Sequence, residues 1–536
     1  MAFSNKPASL SPSHNNQHEV KRAEKDHVLD QKKLKKIGRV LCNTITRSPV
    51  ECLIMIDILQ HLSIDYHFQD EIKFVLSTVY ESLEDVGDYN LSEVALGFRL
   101  LRQEGYHVTT DVFNKFVDED GKFAENLRDD ITGMISLYQA SEFAIEGDDI
   151  LDHANAFVCK NIRDAIPQLV QDQANVVNNI MKQPYHKTLT RFKVKSYISS
   201  RENEQATTYY DVLLQEVAKM DFNIVQTLHQ RELREVSSWW RDLGLAKNME
   251  FARDQPVKWY MWSMATLADP VFSEERIDLT KPIALVYIMD DIFDVYGTLD
   301  ELVLFTEAIK KWELEAIEQV PYCMKIFFKA LHDITDEISS KILKKHGWNP
   351  INSLVKAWRG LCDAFLVEAK WFASGQLPSS EEYLKNGLIS SGVHVICVHI
   401  FFLLGQGINK KNVDLLDNFP GLISCVAMIL RLWDDLGSAK DENQQGYDGS
   451  YIDCYMKEHK SSTIESAQEH VVNMISNTWK TLNKECLLQN SFPLSFKKAI
   501  LNAARMVCMM YSYDANQRLP ILEKQIKSML YESIPL

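Results

Sequence analysis

"ECLIMIDILQHLSIDYHFQDEIKFVLSTVYESL", residues 51–83, carries apolar side chains at three- and four-residue spacing throughout. That is the period of helices with one face turned inward. The same spacing runs from about Asp30 onward, alternating strand patterns are nearly absent, and no repeat of fixed period is evident. Only 20 Gly and 15 Pro punctuate 536 residues, so the expectation is an all-α protein of long helices, too large for one ordinary domain. Near "REVSSWWRDLGLAKNMEFARDQPVKWYMW" (234–262) a charged helix gives way to an aromatic stretch, and beyond it the apolar runs lengthen. The expected division is a disordered segment 1–29, a helical domain 30–235 and a second helical domain 236–536.

A formal net charge of −16 argues against nucleic acid or an anionic membrane as the main partner, and would repel an anionic substrate unless a cation bridges the two. The ten cysteines are scattered, with no C-x-x-C, which suits reduced thiols inside a cell. "VHVICVHIFFLL" (393–404) is too short to span a bilayer and reads as a buried helix. The first 18 residues lack acid but are followed closely by Glu19, Glu24 and Asp26, with no Arg before Arg22. A disordered start on a cytoplasmic protein is favoured over a plastid transit peptide, which is the alternative.

Two stretches share D-D-x-x-D: "GDDILD" (147–152) and "MDDIFD" (289–294). On an α-helix, positions i and i+4 share a face about 6 Å apart, while i+1 points roughly 100° away. In the first, Gly147 breaks the chain, so Asp148, Asp149 and Asp152 fall at a helix N-terminus, where carboxylates cap free N–H groups. Structure explains that cluster. The second follows the apolar "KPIALVYIM" (281–289), so Asp290 and Asp294 close a buried helix, where dipole and burial both oppose acids. A divalent cation would compensate, and carboxylates suit Mg²⁺, which also bridges to phosphates. At this point a metal site and a solvated surface stand level. "ISCVAMILRLWDDLGSAKDE" (423–442) tips the balance, since another apolar helix delivers Asp434, Ser438 and Glu442 at i, i+4 and i+8. Two such walls across a helical cavity could hold cations that bind a diphosphate and, as Lewis acids, ionise an allylic ester.

"DDIFD" (290–294) and "DDLGSAKDE" (434–442) resemble the two metal motifs of plant class I terpene synthases, and the similarity extends through "LSIDYHFQDEI" (62–72), "SSWWRDLGL" (237–245) and "FARDQPVKWYMW" (251–262). The resemblance implies a C-terminal class I terpenoid synthase fold behind an N-terminal α/α-barrel-like domain. It implies Asp290, Asp294, Asp434, Ser438 and Glu442 as ligands of three Mg²⁺ ions, with Mn²⁺ as the alternative ion, and Asp291 orienting the site. Arg253 and Arg431 would hold the diphosphate of geranyl or farnesyl diphosphate, and Trp262 and Tyr511 would line the cavity, where a π face can stabilise a carbocation. Plain core packing is the other reading of those two aromatics. A monomer is implied, with no nucleic acid and no membrane span.

Three departures stand out. The family's R-x-R reads Arg253-Asp254-Gln255, the tandem-arginine motif R-R-x8-W is absent, and "NQQGYDG" follows Glu442 where a basic residue is usual. All three resemble the linalool and nerolidol synthases, which make acyclic tertiary alcohols. No D-x-D-D occurs, which disfavours protonation-initiated cyclisation. The alternatives are a synthase of acyclic or cyclic hydrocarbons, a prenyl diphosphate synthase, which would repeat D-D-x-x-D at the second site, or a nonenzymatic helical scaffold.

Overall fold

The computed structural model describes residues 29–81, 89–119, 121–203, 209–438, 449–488, 492–514 and 518–536. The segment expected to be disordered, 1–29, lies outside them except for Leu29. Among the described residues the chain is helical, and the only pairing of extended backbone is an isolated bridge between Val117 and Phe123. The stretch that opens the sequence analysis folds as the helices Pro49–His61 and Gln69–Glu81 around a short 3-10 turn. Local chemistry sets their ends. Ser48 accepts the Glu51 N–H at 3.3 Å with Pro49 in the first turn, and Asn90 and Glu93 form a reciprocal capping box on Leu91–Gln103.

One expected cap is absent. Asp148 precedes the helix Asp149–Ala165, but its side chain makes no capping bond to that helix. Gly147, at φ 95°, turns the chain so that the carboxylate faces backward, accepting Ile145 N–H at 3.0 Å and pairing with Arg102. Arg102 is itself buried and also donates to the carbonyls of Val108 and Phe143. The role is structural, as expected, but it is an ion pair rather than a helix cap.

Residue 236, the expected boundary, falls inside the 35-residue helix Tyr209–Leu243. This rod packs on Gln31–Thr44, Pro256–Thr266, Ser273–Asp291 and Pro520–Leu530. The N-terminal helices meet the rest across a polar seam, where Asn483 Nδ2 donates to Ala144 O (2.9 Å), His186 Nε2 lies 2.6 Å from Asn483 Oδ1, and Asp152 pairs with Lys480 at 2.6 Å.

At the centre of the second half sits Val393–Leu404, ten of whose twelve residues are buried. It touches Ser273–Asp291, Ile351–Ser374, Gly421–Ser438 and Leu494–Met510, so both acid-bearing helices rest on one apolar post. Two stretches, Ser380–Leu404 and Lys410–Gly437, are long and apolar enough to cross a membrane by composition. Here the first is broken at Gly392 (φ 70°) into two helices, and both stretches pack into the bundle.

Candidate active site

The helix Ser273–Asp291 is fixed from below. Arg276 and Glu232 form a fully buried ion pair at 2.7 Å, Tyr260 donates to Glu232 at 2.7 Å, and Thr280 donates to Ser263 at 2.9 Å. Its C-terminal end therefore arrives rigidly. Asp291, 5 % exposed, accepts the Arg253 backbone N–H at 2.7 Å and lies 2.7 Å from Arg253 Nε. Burial pushes its carboxyl up to about 6 despite that arginine. Asp290 pairs with the same guanidinium, which also donates to Tyr287 O at 3.1 Å. Asp294 falls not on the α-helix but in a π turn, Ile292–Tyr296, and is exposed. The simple i, i+4 alignment expected of Asp290 and Asp294 is thus altered by the wider turn, a feature common at functional sites.

The opposite wall is Gly421–Ser438. Its second aspartate, Asp435, is 3 % exposed and clamped by Tyr383 Oη–H (2.9 Å) and Tyr451 N–H (3.0 Å); burial pushes it up to about 7. Each doubled aspartate therefore splits its labour, as the 100° step between neighbours requires. One carboxylate is buried among protein hydrogen bonds, while its neighbour, about a third exposed, lies beside an arginine. Arg431 donates to Ser390 Oγ at 3.0 Å and lies 3.7 Å from Asp434 and 4.0 Å from Glu368. Gly387 makes room for it, since a Cβ there would sit 3.2 Å from the Arg431 side chain.

The two walls feel each other's charge. Burial raises Asp434, Arg431 opposes this, and the Asp290 charge raises it further; Glu368, from the helix Ile351–Ser374, is raised by burial and again by Asp290. Such like-charge crowding fits a divalent cation, and hard carboxylate oxygens are the donors Mg²⁺ takes. Among the described residues no three His, Cys, Asp or Glu side chains close on a single point. The Ser438 side chain and Glu442 lie outside the described residues.

Aromatic side chains stand close to these acids. Trp262 is 9 % exposed and donates Nε1–H to Tyr287 Oη at 3.1 Å. Tyr511 follows the helix Leu494–Met510, and burial together with Asp434 raises its phenol far above the usual range. Its carbonyl packs on Gly437, where a Cβ would come within 2.7 Å. A shallow cleft at the domain seam, lined by Arg102, His186 and Arg505 among others, contains none of these side chains. Its cations are met by protein acceptors: Arg102 by Asp148, Lys498 by Glu104, Lys497 by Cys486 O and Leu488 O, Arg505 by His186 O.

Sequence reasoning missed Glu368, Tyr287 and Asp435, and also Lys258, whose ammonium lies 5.7 Å from the Tyr287 ring centroid and feels the Asp434 charge. Glu368 had no motif to signal it. Asp435 repeats the doubling already noted at Asp291, and Lys258 stands three residues after Gln255, close enough to have been considered in its place.

Residues 1–183 match the terpene synthase N-terminal domain, and residues 241–481 match the terpene synthase family metal binding domain. An (E)-nerolidol synthase of Cannabis sativa is 50 % identical, covering 90 % of this chain and 88 % of its own. The chloroplastic S-(+)-linalool synthase of Arabidopsis thaliana is 46 % identical over 94 % of this chain and 88 % of its own, and a chloroplastic tricyclene synthase of Antirrhinum majus is 44 % identical over 93 % and 86 %. The crystal structure of grey poplar isoprene synthase in complex with three Mg²⁺ ions and dimethylallyl-S-thiolodiphosphate superposes with a TM-score of 0.86 at 35 % identity, covering 94 % of this chain and 97 % of that one. Two family domains in order, the all-helical fold and the two acidic walls place this chain in the plant terpene synthase family.

Proposed function

We propose that this terpene synthase ionises geranyl and farnesyl diphosphate and quenches the allylic cation with water, giving linalool and nerolidol. The observation that carries the choice of product is Arg253. It is the only guanidinium at the R-x-R position, Gln255 standing where the second would be, and it is already engaged by Asp290 and Asp291.

Asp290, Asp294, Asp434, Ser438 and Glu442 would hold the divalent ions, with Asp291 and Asp435 orienting the walls. The three Mg²⁺ ions of the isoprene synthase complex support that count; Mn²⁺ is the alternative ion. Bound there, the ions supply the Lewis-acid pull that draws diphosphate off its allylic carbon. Arg253 and Arg431 receive the departing oxyanion. Trp262, Tyr287 and Tyr511 present aromatic faces to the positive charge and offer it no strong nucleophile. The charge is shared between the primary carbon and the substituted third carbon; water adds at the third carbon, loses a proton and leaves the tertiary alcohol. Cyclisation from a trans substrate needs the diphosphate first to return to that carbon, and a loosely gripped leaving group does so less often.

The nerolidol and linalool synthases among the relatives support the alcohol product. The tricyclene synthase supports a second reading, a cyclic hydrocarbon. Relatives named chloroplastic favour the plastid alternative over the cytoplasmic expectation. Purified protein incubated with Mg²⁺ and each diphosphate, followed by gas chromatography with mass detection, tests the proposal. The expected products are linalool from the C10 and nerolidol from the C15 substrate; mostly cyclic hydrocarbons would contradict it.

A further inference from the structure

Lys258 lies in the first turn of Pro256–Thr266, four residues before Trp262, so the two share one face of that helix. Both reach Tyr287. The Lys258 ammonium is 5.7 Å from the Tyr287 ring centroid, while Trp262 Nε1–H donates to the same phenol at 3.1 Å. Arg253 Cζ is 5.0 Å from that ring as well, and Tyr513 flanks the ammonium at 6.0 Å. One helix face thus carries a partly buried cation and, one turn on, a buried indole, with Tyr287 beside both.

The ammonium has no carboxylate within 4.0 Å among the described residues. Burial and then the neighbouring Arg253 lower it to about 8, and Asp434 is the acid that opposes this. A half-buried cation whose close partners are two tyrosine rings and no carboxylate is costly unless an anion comes to it. Arg253 is a like charge and offers the ammonium no relief, and it reaches the diphosphate while already paired with Asp290 and Asp291.

We propose that Lys258 binds the substrate diphosphate, supplying the second cation of that pocket which Gln255 does not. The inference rests on the terpene synthase function proposed above. It also explains how ionisation stays supported while cyclisation does not. An ammonium is a point charge that neutralises developing oxyanion, whereas a guanidinium fork grips two oxygens and fixes their direction. Charge without a fork suits a leaving group that departs readily and is not steered back to the third carbon.

Calorimetric titration of inorganic diphosphate into protein saturated with Mg²⁺ tests this without turnover. Lys258→Met should weaken diphosphate binding roughly tenfold or more, the scale of a lost charge-assisted hydrogen bond, while Lys258→Arg stays within about threefold of the parent protein. Melting curves accompany each variant, with Lys258→Gln replacing Lys258→Met if the latter does not fold. Unchanged affinity in the neutral variant would overturn the inference and leave Lys258 as a remote counter-ion of Asp434. Absence of any Mg²⁺-dependent diphosphate binding in the parent protein, matching Asp290→Asn, would overturn the proposed function and the inference together.

Discussion

The two D-D-x-x-D stretches have the same pattern and opposite electrostatic fates. At 148–152 the protein itself closes the charge, Asp148 on buried Arg102 and Asp152 on Lys480 across the domain seam. At 290–294 one arginine serves both Asp290 and Asp291, Asp291 is pushed up by burial, and the Asp290 charge reaches across to Asp434 and Glu368. The lesson is that repetition of acids does not decide their role: the first stretch has its charges matched by separate cations, while the second shares one arginine between two carboxylates. Asp435, buried and held by the Tyr383 hydroxyl and the Tyr451 N–H, resembles Asp291 rather than Asp290 in that its protein hydrogen bonds hold it in place.

The contrast can be broken at several points. Arg102→Met should cost about 3–5 kcal/mol, because Asp148 is left as an uncompensated buried charge; chemical denaturation would show the loss, with turnover per folded molecule unchanged. Asp434→Asn should do the reverse, lowering Mg²⁺-dependent turnover about 10²–10³-fold, the scale of losing one group that stabilises developing charge, with the melting temperature nearly unmoved. A pH series sharpens the comparison. Asp435 is raised from 3.8 to about 7 in the folded protein, so the native state holds a proton that the unfolded chain gives up. Its contribution to stability is therefore complete below about pH 4 and lost as pH rises through about 7. In metal-free protein the melting temperature of the parent, taken relative to Asp435→Asn, should fall between about pH 4 and pH 7 and level off above that, and a flat difference would contradict the assigned cause. The smallest effect belongs to Lys480→Gln. It removes a partly exposed partner of Asp152 and should cost under about 1 kcal/mol, with steady-state rates unaltered.

Much of this was legible in the sequence because helices announce themselves by period, as residues 51–83 do. The walls were legible because Asp290 and Asp434 each end an apolar run, where acids are costly. Other features were not. The change of character near residue 236 is real in composition, yet the Tyr209–Leu243 helix runs straight through it, since a long helix can change packing partners without a break. Asp148 had the sequence context of a cap, and its true partner, Arg102, lies 46 residues upstream, beyond any local rule. Glu368 is a single acid on an amphipathic helix, and only the fold brings it beside Arg431. The π turn that carries Asp294 outward leaves no mark in "DDIFD".

Steady-state turnover of farnesyl diphosphate against Mg²⁺ concentration, measured beside melting curves for Asp290→Asn and Asp148→Asn, tests the central claim most directly. The account predicts that Asp290→Asn loses Mg²⁺-dependent turnover and keeps its melting temperature, whereas Asp148→Asn melts several degrees lower and keeps its turnover per folded molecule. An active Asp290→Asn enzyme, or an Asp148→Asn protein that stays folded but does not turn over, would contradict it.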